Sequence, residues 1–190
     1  INESLVASQK SVQLDPQDTE THNNLGVILK KLGRLKEAEA SFRQAIALKP
    51  DFTEAHNNLS ITLKAQGRLK DAEISFRQVI ALKPDLAEAH SNLGNILQQQ
   101  GRLDEAEASF RQVVALKPNY AEAHSNLGVI LKEQGRLDEA EASFRQAITL
   151  KPDLAEAHSN LGVIPKEQGR LKDAEASFRQ AITLKPDLAE

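Results

Sequence analysis

Five histidines, His22, His56, His90, His124 and His158, stand 34 residues apart, and Gly33, Gly67, Gly101, Gly135 and Gly169 keep the same step. So do Pro16, Pro50, Pro84, Pro118, Pro152 and Pro186. Residues 121–154 and 155–188 differ at only three places, Leu131/Pro165, Asp138/Lys172 and Glu139/Asp173. This period constrains the chain more than its composition does. A unit so short cannot close a core of its own, and buries its apolar face only by stacking on neighbours.

Each unit reads as two helices. Ala, Leu, Glu, Lys, Arg and Gln dominate, side chains that lose little rotamer freedom in a helix, so an all-α chain is expected. In 121–154 the first helix is predicted over Ala121–Glu133, with Ala123, Leu127, Ile130 and Leu131 on its apolar side. Gly135 supplies the left-handed residue that ends it. The second helix is predicted over Leu137–Leu150, with Ala140, Phe144, Ala147 and Ile148 facing inward, and Pro152 stops it. Asp153 is expected to cap the next helix. Two short helices joined by three residues must pack antiparallel, which makes the array an α-solenoid of helix hairpins.

These residues carry a specific resemblance. His22, Leu25-Gly26, Leu29, Ala38, Phe42 and Pro50 fall at the offsets where tetratricopeptide repeats place Trp, Leu-Gly, Tyr, Ala, Phe and Pro. The register gives full repeats at 19–52, 53–86, 87–120, 121–154 and 155–188, with 1–18 as the second helix of a preceding unit and 189–190 as the start of a further one. The resemblance covers the whole chain and implies a right-handed superhelix whose first helices line a concave groove. Departures are the His for the large aromatic, Leu or Pro for the Tyr, and Ser60 for the Gly at the close helix approach, an exchange with a small packing cost.

Little in the chain points to catalysis. Equivalent histidines in stacked repeats lie about 10 Å apart or more, whereas a metal needs its ligands at about 2.0–2.2 Å. Each His also stands where the family puts a packing aromatic. His90-Ser91 and its equivalents cannot pair, because adjacent residues on a helix do not face each other. No Gly-rich phosphate loop or convincingly spaced acidic cluster is present. Neither enzyme activity within this segment nor a cofactor or metal is expected. Glu141 and Arg145, four apart with Glu first, read as a solvated pair on an exposed convex face, contributing about 0.2–0.5 kcal/mol.

Charge and hydropathy narrow the partners. The 24 basic and 27 acidic residues, net −3, are interspersed, so nucleic acid is not an expected partner. No apolar run approaches the roughly 18 residues of a membrane span and no secretory signal is visible, which favours the cytoplasm. The absence of Cys suits either redox compartment. The chain begins at Ile1 in mid-pattern, as an excised piece would.

Function is expected on the first helices. Their second, sixth, ninth and thirteenth positions form one stripe, because steps of four, three and four stay on one face. The sixth position is Asn in every repeat: Asn24, Asn58, Asn92, Asn126 and Asn160. Asn disfavours helix interiors, so its repetition wants a reason. A carboxamide offers both donor and acceptor and can pair with a peptide backbone; alternatively, the Asn bridges adjacent repeats or descends from one duplicated ancestor. The flanking groove residues are Val27, Ile61, Asn95, Val129 and Val163 at the ninth position, with Lys31, Gln99 and Glu133 at the thirteenth. The ladder resembles that of the O-linked N-acetylglucosamine transferase arm and related bacterial arrays, where the matching asparagines hold substrate polypeptide. That resemblance implies a peptide-binding role for the five Asn and nothing catalytic. Glu at every second position argues against a clamp for a C-terminal carboxylate. The expected function is therefore a scaffold binding a protein or peptide; the alternatives are the recruiting arm of a larger enzyme and a self-assembling spacer. The sides of helix 3–14 and of the last helix, near Ala174, Phe178, Ala181 and Ile182, have no visible cover, so end-to-end association is also expected. Pro165 within a helix should cost about 3 kcal/mol or more.

Overall fold

The computed structural model describes residues 2–167 and 171–185; Gly169, Pro186 and 189–190 lie outside them, as do the side chains of Pro165, Glu167 and Lys172. The described residues form α1 (Asn2–Leu14), α2 (Thr19–Lys31), α3 (Leu35–Leu48), α4 (Thr53–Ala65), α5 (Leu69–Leu82), α6 (Ala87–Gln99), α7 (Leu103–Leu116), α8 (Ala121–Glu133), α9 (Leu137–Leu150), α10 (Ala155–Glu167) and α11 (Leu171–Leu184). The expected helices of the repeat 121–154 match α8 and α9 residue for residue. The chain divides into two compact units, 1–89 and 90–190. In the first, α2 pairs with α3 and α4 with α5, while α1 covers α2 and α3 leans on α4. In the second, α8 pairs with α9 and α10 with α11, and α7 and α9 pack on the first helices that follow them.

The turns after α2, α4, α6 and α8 are built the same way. Gly33, Gly67, Gly101 and Gly135 have φ of 73° to 77°, which costs glycine no Cβ clash. Each sits just past a helix end, and the next amide bonds back across the turn: Arg34 N to Leu29 O at 2.9 Å, Arg136 N to Leu131 O at 2.9 Å. With Gly33 N to Lys30 O at 3.0 Å this is a Schellman ending, which satisfies carbonyls a helix otherwise leaves open.

Between the helices of a pair, glycine and phenylalanine meet. A Cβ placed on Gly26 would lie 2.5 Å from the Phe42 ring, and one on Gly128 would lie 2.8 Å from Phe144. Phe42, Phe76, Phe110 and Phe144 are fully buried. Ser60 replaces that glycine in the second repeat; its hydroxyl donates to His56 O at 2.7 Å and lies 2.8 Å from Ser75 Oγ, so the buried polar group is satisfied. Phe178 on α11 is only half-buried and Ile182 is exposed, as are Val6 and Leu14 on α1.

The histidines hold the loop between repeats. His22 Nε2 lies 2.9 Å from Pro16 O, His56 2.8 Å from Pro50 O, His124 2.8 Å from Pro118 O and His158 2.9 Å from Pro152 O. A protonated Nε2 donates to each of these carbonyls, which follow the end of one helix and precede the next. The expected cap at Asp153 is displaced. Helix α10 starts at Ala155, so Asp153 stands one residue too early and is exposed. Asp18, one residue later in the register, does cap α2, accepting from Glu20 N at 3.0 Å and from the Thr21 hydroxyl.

The face of the second helices is more than a solvated surface, which corrects the simple paired-charge expectation. Glu107 is 14% exposed and receives Arg111 Nε from its own helix at 2.7 Å and Arg136 Nη1 from the next hairpin at 2.6 Å. Arg136 also holds Glu139 at 2.7 Å. Glu39 repeats the pattern with Arg43 at 3.0 Å and Arg68 at 2.8 Å. Glu141, paired with Arg145 at 2.5 Å, is equally covered at 15% exposure. Burial pushes the Glu107 carboxyl up, but the hydrogen bonds from Arg136, Arg111 and Gln134 outweigh it and hold its pKa at about 2.

Two predictions follow from this packing. A folded-state pKa below the ordinary 4.5 means the Glu107 contribution is fully present above about pH 4.5 and is lost as pH falls towards about 2. Urea midpoints should therefore drop across that window in the wild type, and Glu107→Gln should lower the neutral midpoint and flatten the drop. The second prediction concerns Pro165. The α10 backbone continues through it, although proline has no N–H for the Leu161 carbonyl, and Leu29, Leu63, Leu97 and Leu131 at the equivalent position are all buried. Pro165→Leu should raise the melting temperature by roughly 5–10 °C; an unchanged value would refute the strain.

Candidate functional site

The stripe expected on the first helices is partly exposed in both units. In the first, α2 and α4 touch directly and carry Asn24, Val27 and Lys31 beside Asn58 and Ile61. Asn24 and Lys31 are exposed, while Val27, Asn58 and Ile61 are half-buried. In the second unit α8 and α10 also touch, and with α6 they carry Asn92, Asn126 and Asn160 with Asn95, Val129 and Val163, all half-buried. Gln99 and Glu133 are exposed at the ends of their helices. Beyond Asn24 the sixth position is thus less open than its place in the sequence implies, and at Asn58 and Asn160 it is the preceding first helix that lies against it.

The carboxamides are also partly engaged. Asn58 Nδ2 donates to Asn23 Oδ1 at 3.1 Å, and Asn58 Oδ1 accepts from Lys30 Nζ at 3.2 Å. Asn23 in turn donates to Glu54 Oε1 at 2.9 Å. Asn160 Oδ1 accepts from Lys132 Nζ at 3.3 Å. Bridging of adjacent repeats, the structural reading of the ladder, is therefore present at Asn58 and Asn160. It does not exhaust them: a carboxamide has two amide hydrogens and two acceptor lone pairs, so each keeps capacity for a ligand.

Charges along the face are largely compensated. Burial holds Lys30 below the ordinary lysine range, with Glu88 pulling the other way. Glu122 lies 2.8 Å from Lys151 Nζ, and that hydrogen bond holds its carboxyl below the usual range. Glu133 accepts from Gln98 at 2.8 Å. The sequence reading missed Asn23, Lys30, Gln98 and Lys132. The signal was Lys at the twelfth position in four of the five repeats, but its meaning needs the neighbouring repeat.

Other features offer less. A depression of about 690 Å³ follows Gly101–Glu105, Gln134 and Arg136, at the hairpin turns and away from the ladder, and its Arg136 and Glu105 are already paired. Among the described residues no group of three or more His, Cys, Asp or Glu could hold a metal ion. No described helix is long and apolar enough to cross a membrane.

Sequence comparison places these observations in a family. Tetratricopeptide-repeat patterns match residues 19–52, 62–101, 85–153 and 131–189. No curated protein matches the sequence. Among solved structures the fold is similar to YrrB, described as a TPR protein with an unusual peptide-binding site. That likeness has a TM-score of 0.81 at 23% identity, over 95% of this chain and 93% of YrrB. It is also similar to MamA from Desulfovibrio magneticus, with a TM-score of 0.83 at 21% identity over 89% and 96% of the two chains. PilF of Pseudomonas aeruginosa gives 0.76 at 18% identity over 87% and 75%. At these identities the likeness is one of fold.

Proposed function

This chain belongs to the tetratricopeptide-repeat family, and from that premise we propose that it binds an extended segment of a partner protein along its first helices. One observation carries the reading: adjacent first helices present a carboxamide at the sixth position and, one turn on, an apolar residue at the ninth. Asn58 with Ile61, Asn126 with Val129 and Asn160 with Val163 are such pairs, all half-buried. An extended chain offers a backbone N–H and C=O at regular intervals, which a carboxamide can pair with, and its methyl-bearing side chains meet the Val and Ile side chains. Such contacts grip backbone more than side chains, so selectivity among peptides is expected to be broad. The peptide-binding site described for YrrB supports the same use of this fold.

Exposed Val6 and Leu14 on α1, with half-buried Phe178 on α11, favour self-association as a second reading. A concentration-independent monomer by light scattering would remove it. A recruiting arm of a larger enzyme uses the same groove and differs only in what is attached.

Panning a displayed library of random peptides on the purified chain supplies ligands for the main test. Replacing Asn92, Asn126 and Asn160 together by Ala should weaken binding of the selected peptides by about a hundredfold, three lost hydrogen bonds. Circular dichroism should show helix content retained. Undiminished binding with intact helices would sink the groove reading. Because Asn160 also bridges repeats, Asn126→Ala alone is the cleaner single variant.

A further inference from the structure

The lysine at the twelfth position of a repeat gives the ladder something the asparagines alone lack, a fixed sense. Lys30 Nζ donates to Asn58 Oδ1 at 3.2 Å, and Lys132 Nζ to Asn160 Oδ1 at 3.3 Å. These are separate occurrences in different units, each across a sequence separation of 28 residues. An ammonium has only donors, so the carboxamide it holds must turn its oxygen towards it and its nitrogen the other way. In the first unit the nitrogen is held as well, by Asn23 Oδ1 at 3.1 Å. The flip of the amide, which an isolated surface asparagine leaves open, is set by the preceding repeat.

We propose that Lys30 and Lys132 are positioning residues that fix the flip of the ladder carboxamides, so that an extended chain is accepted in one N-to-C direction. The inference rests on the groove reading above. A carboxamide pairs with backbone by donating from Nδ2 to a C=O and accepting at Oδ1 from an N–H. When the flip is fixed, a chain running one way meets donor with acceptor. A chain running the other way meets donor with donor, and leaving such groups unpaired costs more than a hydrogen bond contributes. The protein contains its own comparison. In the repeat 87–120 the twelfth residue is Gln98, which donates to Glu133 at 2.8 Å, and among the described residues Asn126 has no side-chain partner. Asn126, like the exposed Asn24, is therefore a ladder position free to turn.

The test has a part without peptide. Side-chain amide relaxation by NMR on the full chain should find the Asn58 and Asn160 carboxamides ordered and that of Asn126 mobile. Lys132→Met should free Asn160 alone, and Gln98→Lys should order Asn126. Equal mobility of Asn160 and Asn126 in the wild type, or no response to Lys132→Met, overturns the proposal and leaves the groove reading untouched. The second part uses a capped, uncharged peptide of alternating Ala and Ser carrying a nitroxide at either end. In the wild type the two labels should broaden carboxamide signals at opposite ends of the series Asn92, Asn126, Asn160. The double variant Lys30→Met, Lys132→Met should let each label broaden both ends and weaken binding about fivefold. Broadening of both ends by each label in the wild type overturns the proposal. No binding of this peptide by the wild type, with carboxamide order as expected, counts instead against the groove reading on which the direction depends.

Discussion

The approach of each first helix to its partner across a glycine is the constraint on which the remaining structure depends. At Gly26, Gly94, Gly128 and Gly162 a phenylalanine ring of the second helix occupies the space a Cβ would need. That contact sets the distance within the hairpin and fixes which face of the first helix turns inward. The face carrying the sixth and ninth positions is left for the neighbouring repeat and for solvent. Ser60 shows the limit of tolerance. A Cβ fits there with Phe76 still fully buried, but the hydroxyl needs His56 O and Ser75 to satisfy it. The glycine is therefore preferred for space, and a substitute must bring its own hydrogen bonds.

What could be read from the sequence was whatever a single repeat determines. The limits of α8 and α9 follow from apolar spacing and from Gly135, whose positive φ is needed whatever surrounds it. Buried Ala140, Phe144 and Ala147 follow from helical period alone. The Asp153 cap failed by one residue because α10 begins at Ala155, which puts Leu154 at the capping position, whereas Asp18 stands directly before α2.

What could not be read involves two repeats at once. Glu141 looks like half of a surface pair until its position is compared with Glu39 and Glu107, which each receive an arginine from the following hairpin. The pairs differ in consequence. An exposed pair contributes little, whereas a carboxylate at 14% exposure with two guanidinium partners couples one hairpin to the next. Lys30 and Lys132 are the same lesson on the opposite helix. Each looks like a solvated lysine, and each closes on an asparagine of the next repeat.

The two couplings act on different properties of the array. The arginine bridges join second helices, so they bear on how firmly one hairpin is held to another. The lysine contacts join first helices at the groove, and a net hydrogen bond of this kind is worth only about 1 kcal/mol. That is small against the burial of the phenylalanines, so the lysines are not needed to stack hairpins. It is large against the freedom of one carboxamide to turn, since a difference of about 1 kcal/mol already favours one of two states roughly fivefold. A weak contact placed beside a two-fold ambiguous side chain thus has its main effect on orientation. The asparagines can then serve both adjacent repeats and a bound chain, because the bridge uses one acceptor site at Asn160, and one acceptor site and one N–H at Asn58, and each amide keeps a lone pair and an N–H for a ligand.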